Sequence, residues 1–268
     1  MSGIDKSQAG AAEFEAARDS SNDVFRQAWL WPHVQAYNRA IIEVVGRSAP
    51  YPPHFLHGSW ELDTRFGDLL NMKLFEVILA FEASLIEELH ANNVEGSIVE
   101  FGVFEGQMLG NLLDKAESIG MRRRFYGFDS FQGLSQPSAE HDFDGWKKGQ
   151  LSAEYETTAR NLRLSERPYL SLIKGWVKDS LRFADALAIN PIAYARIDVD
   201  IYEPTVDCLK YLSNRLADRA ILVFDDWGYA TEKGESKAFF EWAPAVPHYR
   251  FEYLAQCNSR FYLRIHHR

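Results

Sequence analysis

Five short apolar runs, each closing on a glycine or an acid, constrain this chain more than any other feature. They are SIVEFGV (97–103), RFYGFDSF (124–131), YLSLIKGW (169–176), AYARIDVDIY (193–202) and RAILVFDDW (219–227). Helical stretches separate them: EGQMLGNLLDKAESIG follows the first, and a segment from about Thr205 to Leu216 follows the fourth. Strands and helices alternating at this spacing predict an open, mostly parallel sheet flanked by helices. The end of the chain differs. RFEYLAQCNSRFYLRIH reads as two strands joined by an Asn-Ser turn, a hairpin that closes the sheet with an antiparallel edge.

Upstream, DLLNMKLFEVILAFEASLIEELHANN carries apolar residues at helical spacing from Asp68 and ends at Asn92 and Asn93. Before it lie a polar tail (1–22), a helical pattern interrupted at Pro32 and the proline-rich connector APYPPHF (49–55). The expected organisation is an N-terminal helical extension over residues 1–65 and one α/β domain over 66–268. Residues 133–154, with four Gly or Pro residues, read as a long surface loop that carries His141.

Composition excludes some partners. The formal charge is −9, and the densest basic run, MRRRF (121–125), reads as a solvated helix end. Nucleic-acid binding is not expected, because neutralising phosphates needs clustered Lys and Arg. Two cysteines, Cys208 and Cys257, cannot make a disulfide framework. No apolar run reaches the length of a membrane span, and the polar N-terminus has no signal-peptide pattern. A cytoplasmic location without membrane attachment is the expectation. Aromatics make up 14% of the chain, which suits either flat ligands or a large core.

In open α/β sheets ligands bind beyond the carboxyl ends of the strands, where strand order reverses. The first run ends in Glu100, then Gly102-Val103-Phe104-Glu105-Gly106. Small residues there let backbone turn closely around a ligand and leave helix-start N–H groups free. This is not a G-x-G-x-x-G fingerprint, and a tight turn alone explains it equally well. The second run ends in Asp129, where an acid typically takes ribose hydroxyls. Together they suit a cofactor containing adenosine. The fourth run ends in Asp198 and Asp200 and the fifth in Asp225 and Asp226. Neighbouring parallel strands would bring three or four of these carboxylates together, and unpaired they would raise one another's pKa values. A hard cation such as Mg²⁺, Ca²⁺ or Mn²⁺ removes that cost, while capping of the next helices is the simpler explanation for any single Asp. The histidines give no metal spacing, His57, His266 and His267 included, and no Ser-His-Asp or reactive-cysteine arrangement is present.

VEFGVFEGQML, FYGFDSFQGL, KGWVKDSL, RIDVDIYEPTVDCL and ILVFDDWGY occur in the order and spacing of the macrocin O-methyltransferase family, which the chain resembles over residues 68–268. Asn71-Met72-Lys73-Leu74 resembles a family segment that covers the cofactor, and Glu105 stands where the family's glycine loop carries Arg. The resemblance implies a class I, Rossmann-like methyltransferase fold with a seven-stranded sheet. It also implies a Mg²⁺-dependent O-methyltransferase that uses S-adenosylmethionine on a sugar hydroxyl in antibiotic biosynthesis. By the same resemblance Glu100, Gly102, Phe104 and Gly106 form the loop at the methionine part of the cofactor. Asp129 and Ser130 take the ribose, and Trp176 lies near the adenine. Asp198, Asp225 and Asp226 hold the metal, Asp198 is also the general base, and Asp200, Tyr202 and Glu203 surround the metal or the acceptor.

The implied chemistry is in-line attack of a hydroxyl on a sulfonium methyl, for which alignment supplies much of the acceleration. A small hydroxylated, sugar-bearing acceptor and a homodimer or larger homo-oligomer are the expected partners. Competing readings are a metal-dependent catechol or phenol O-methyltransferase, a cofactor-binding subunit without catalysis, and, more weakly, an NAD-dependent oxidoreductase.

Overall fold

A computed structural model describes residues 64–184, 187, 189–227, 233–257 and 259–268. The expected extension over 1–65 lies outside these residues apart from its last two, as do Gly228 and Tyr229 of ILVFDDWGY. In chain order the elements are α1 (Thr64–Ala91), β1 (Ser97–Phe101), α2 (Gln107–Ser118), β2 (Phe125–Asp129), α3 (Tyr155–Asn161), β3 (Leu170–Lys174) and α4 (Val177–Ala184). There follow β4 (Ile192–Ile197), α5 (Tyr202–Leu212), β5 (Leu216–Phe224), α6 (Gly234–Trp242), β6 (Tyr249–Cys257) and β7 (Arg260–His267).

The described chain divides into two compact units. One holds the described residues up to Phe81 with Tyr253–Ala255, and the other holds Glu82–Glu252 with Gln256–Arg268. All the chemistry below belongs to the second. The seven strands form one sheet in the order β3-β2-β1-β4-β5-β7-β6. The first five pair in parallel, and β7 runs antiparallel to β5, so the sheet is mostly parallel and closed by a C-terminal hairpin. Parallel strands need crossover helices on both faces, which explains the apolar continuity of β1, β4 and β5. All six residues of β4 are buried. Helix α2 turns Met108, Leu109, Leu112, Leu113 and Ala116 inward, each large side chain contributing about 1.5–3 kcal/mol of burial.

Strand order reverses between β1 and β4, so the crevice lies between the glycine loop after β1 and the acids after β4. The fourth run differs from its expected course. β4 stops at Ile197 rather than running on to Tyr202, because Asp200 adopts a left-handed conformation, φ +62°. Helix α5 then starts at Tyr202 instead of Thr205, with Pro204 inside its first turn, where no amide hydrogen is missed. It ends at Leu212, and β5 begins at Leu216, earlier than the expected Arg219.

Candidate active site

The turn after β1 is held from outside. One oxygen of Asp129, Oδ2, accepts the N–H groups of Val103 and Phe104, each at 2.8 Å, and Oδ1 accepts Phe131 N–H at 2.6 Å. Asp129 therefore clamps the glycine loop to the end of β2. Gly102 has φ +84°, and a Cβ built there would lie 1.6 Å from the carbonyl oxygen of Asp198. This glycine is required by the contact between the loop and the acid-bearing end of β4. Gly106, also at positive φ, caps the N-terminus of α2 and faces the Leu162 side chain.

A cavity opens at this crevice. Its wall includes Gly102, Phe104, Asp129, Ser130, Trp176, Asp198 and Asp200. Of the expected cofactor residues, Gly102, Phe104, Asp129, Ser130 and Trp176 are thus brought to one space. The lining mixes aromatic faces with a few polar groups, a surface suited to a flat heterocycle bearing hydroxyls. Ser130 spends its hydroxyl locally, donating to Gly133 C=O at 3.0 Å and accepting from Gln132 N–H at 3.0 Å.

Glu100, expected at the cofactor, lies apart from these lining residues. It is not among the residues that line this cavity; its carboxylate lies 3.0 Å from Arg196 Nε, and the residue is 1% exposed. The cause is register: Glu100 on β1 stands opposite Arg196 on β4, so both side chains project from one face of the sheet. Burial, opposed by Arg196, pushes the Glu100 carboxyl well above the usual range.

Arg196 is the hub of a buried network. Its guanidinium pairs with Glu82 at 3.0 Å, with Asp198 Oδ2 at 3.1 Å and, in the shortest contact, with Asp225 Oδ1. Glu82, on α1, also accepts the hydroxyls of Tyr194 and Tyr262. Arg260 Nε reaches the same Oδ1 of Asp225 at 2.8 Å. Burial alone would raise the Asp225 carboxyl, but Arg196 and Arg260 outweigh it and hold it below the usual range.

The acids that converge differ from the expected trio. Carboxylate oxygens of Asp198, Asp200 and Asp226 lie within 4.8 Å of one another. Asp225 is drawn instead to the two arginines, and Asp200 takes the third place because its left-handed turn folds it back over the crevice. The converging carboxyls are all raised: Asp198 well above the usual range by burial and by Asp225, Asp200 to about 10 by burial and by Asp226, and Asp226 to about 6 by burial and by Asp225. Three hard oxygen donors, of which only Asp198 pairs with an arginine among the described residues, fit a divalent cation of the Mg²⁺ type.

Two further residues escaped sequence reasoning. Glu235, in the first turn of α6 and fully buried, accepts Val199 N–H at 3.3 Å and Asp226 N–H at 3.0 Å. Asp142, in the long loop and 2% exposed, accepts Tyr202 N–H and Ser138 N–H, each at 2.7 Å. The loop is further tied by His141 C=O, which accepts Gly234 N–H at 2.7 Å, and by Lys233 Nζ, which donates to Glu140 C=O at 2.7 Å. The His141 ring packs on Tyr202, with centroids 4.6 Å apart. Residues 133–154 thus wall the acid-bearing end of the crevice. Spacing gives no hint of Glu235, whereas Arg196, two residues before Asp198, is detectable by strand alternation.

A parallel sheet of this order, with a glycine loop after β1 and acids after β4 and β5, is the class I methyltransferase architecture. The model of the macrocin O-methyltransferase family (TylF) matches residues 79–243, and the chain belongs to that family. It is 30% identical over 154 residues to the demethyldecarbamoylnovobiocin O-methyltransferase of Streptomyces niveus, covering 53% of this chain and 56% of that protein. It is 29% identical over 162 residues to the 8-demethyl-8-(2,3-dimethoxy-alpha-L-rhamnosyl)-tetracenomycin-C 4'-O-methyltransferase of Streptomyces olivaceus, covering 53% of this chain and 57% of that protein. The matches thus span little more than half the length of either relative. Among solved structures, the calicheamicin methyltransferase CalS11 superposes with a TM-score of 0.61 at 21% identity, covering 86% of this chain and 91% of CalS11. The O-methyltransferase NovP gives 0.57 at 23% identity, covering 71% of this chain and 79% of NovP. At such identities these two establish the fold. No described helix is long and apolar enough to cross a membrane.

Proposed function

We propose that this protein is an O-methyltransferase that moves the methyl group of S-adenosylmethionine to a hydroxyl on a sugar-bearing small molecule, with a divalent cation at the acid cluster. One observation carries the reading: Asp198 and Asp200 line the same cavity as Gly102, Phe104, Asp129, Ser130 and Trp176, so a methyl donor and an acid-bound hydroxyl would share one space. The named relatives act on novobiocin-type and rhamnosyl-tetracenomycin acceptors, which supports the sugar-bearing class.

In this reading Phe104 and Trp176 offer aromatic faces to the donor, and the Asp129 clamp keeps the loop in the shape that receives it. Asp198, Asp200 and Asp226 would hold the cation, which when bound lowers the pKa of a chelated hydroxyl. The attacking oxygen loses its proton to a cavity-lining carboxylate. Asp198 is the expected acceptor; Asp200 is a second one, favoured because its charged neighbours are the carboxylates of Asp226, Asp198 and Glu235 while Asp198 shares a guanidinium with Asp225. The Arg196 and Arg260 pairs keep Asp225 ionised and pull it away from the acceptor. The 133–154 wall would shape the acceptor site. A cytoplasmic homo-oligomer remains the expected form, to be read by light scattering.

The test is methyl transfer from labelled S-adenosylmethionine to rhamnosides, catechols and buffer alone, with and without a chelator. Transfer to rhamnosides that stops with chelator supports the reading. Catechol preference replaces the acceptor class, metal-independent transfer removes the cation, and no binding of S-adenosylhomocysteine removes the donor.

A further inference from the structure

Three acids converge from two separate turns, and backbone hydrogen bonds determine how far apart those turns sit. Asp198 and Asp200 flank Val199 in the turn after β4, and Asp226 lies in the turn after β5. In the parallel ladder the last sheet-like bond between these strands is Asp225 N–H to Ile197 C=O at 2.9 Å. Beyond it the strands no longer pair, yet the three carboxylates still lie within 4.8 Å. A group outside the sheet must span the gap.

Glu235 does so. Its Oε1 accepts Val199 N–H and its Oε2 accepts Asp226 N–H, one oxygen for each turn. The side chain is fully buried, so water does not compete for either bond. Its own position is fixed by α6, whose first residue, Gly234, donates its N–H to His141 C=O of the wall at 2.7 Å. Glu235 therefore works as a calliper across the two acid-bearing turns.

Glu235 places an acid side chain beside Asp226, Asp198 and Asp225, which are its charged neighbours. That choice is unfavourable unless positive charge resides nearby, since an uncompensated buried charge is costly. We propose that Glu235 is a positioning residue: by bridging the backbones of Val199 and Asp226 it sets the spacing of Asp198, Asp200 and Asp226 and so the affinity of that cluster for a divalent cation. The inference rests on the cation reading of the acid cluster given above.

The experiment is titration of the full chain with Mn²⁺, followed by electron paramagnetic resonance, for the unaltered protein, Glu235→Gln and Glu235→Asp. Near-ultraviolet circular dichroism reports the fold of each. Glu235→Gln keeps the volume and one acceptor but turns an NH₂ toward the second N–H, and Mn²⁺ affinity should fall at least tenfold with the dichroism unchanged. Glu235→Asp keeps the charge but retracts it by one methylene, and should weaken Mn²⁺ severalfold. If Glu235→Gln does not fold, the aspartate variant decides. Mn²⁺ affinity within twofold of the unaltered protein in the folded variants overturns the positioning role. Loss of the native dichroism in both variants assigns Glu235 to the general fold and overturns it too. If the unaltered protein itself binds no Mn²⁺, the cation reading fails and the inference falls with it.

Discussion

Asp225 and Asp226 are adjacent in sequence and sit in opposite electrostatic worlds. Asp225 belongs to the face of the sheet where Arg196 and Arg260 meet Glu82 and Glu100, and its carboxyl is held below the ordinary range by both guanidinium groups, against burial. Asp226 belongs to the strand-end cluster, where burial and Asp225 raise it to about 6 and no arginine among the described residues pairs with it. The first region is compensated by the protein itself, and the second is left acidic. Arg196 reaches the cluster only at Asp198, 3.1 Å away, which leaves Asp200 and Asp226 without an arginine partner among the described residues. The difference between the regions separates structural charge from functional charge.

The largest effect should come from disturbing the compensated side. Arg196→Met leaves Glu82, Glu100 and Asp225 buried without their shared partner, and breaking such a network costs about 3–5 kcal/mol. Urea unfolding measures it, and a loss under 1 kcal/mol would mean that the network is not internally balanced. On the acidic side, Asp198→Asn should lower turnover by about 10²-fold or more, in the range of lost general-base assistance, while S-adenosylhomocysteine still binds. Full turnover in this variant would move the base to Asp200.

The two regions should also differ in their response to pH. Asp226 and Asp200 have folded-state pKa values raised to about 6 and about 10, above those of an unfolded chain. Such groups contribute stability that is fully present below the unfolded value near 4 and lost as pH rises through the folded values. Without divalent cations the thermal midpoint should therefore fall between pH 5 and pH 9. Asp225 has the opposite sign: its contribution is present above about pH 4 and is lost as pH falls through its depressed folded value. Mg²⁺ should restore the midpoint most at the alkaline end. A midpoint that rises steadily across that range would contradict the assignment of uncompensated acids. The smallest effect belongs to a charge pair outside both regions: Arg163→Ala, at a half-exposed pair with Asp114 and Glu117, should cost under about 1 kcal/mol.

Much of this was legible in the sequence because strand ends carry their chemistry in short, readable strings. The seven-stranded sheet, the glycine loop and the meeting of the fourth and fifth strand ends follow from alternation and from residues such as Gly102, Asp129 and Asp198. The pairing of Glu100 with Arg196 is not legible in the sequence, because it depends on the cross-strand neighbour and register is invisible in one dimension. Strand alternation puts Asp200 among the converging acids, whereas the family resemblance names Asp225 in its place; the left-handed turn at Asp200 is a local event that residue type permits but does not announce. Glu235 and Asp142 act through backbone N–H groups far away in sequence, in segments that read as ordinary helix start and loop.

Gly102 has a consequence for how this sequence can drift. Its missing side chain is occupied by the carbonyl of Asp198, so any substitution there pushes the donor loop and the acid-bearing turn apart at once. Position 102 is closed to variation, and the two halves of the site are inherited together. Phe104, two residues on, is 43% exposed and lies on the cavity wall. Variation there can change the wall that faces the donor without disturbing the joint.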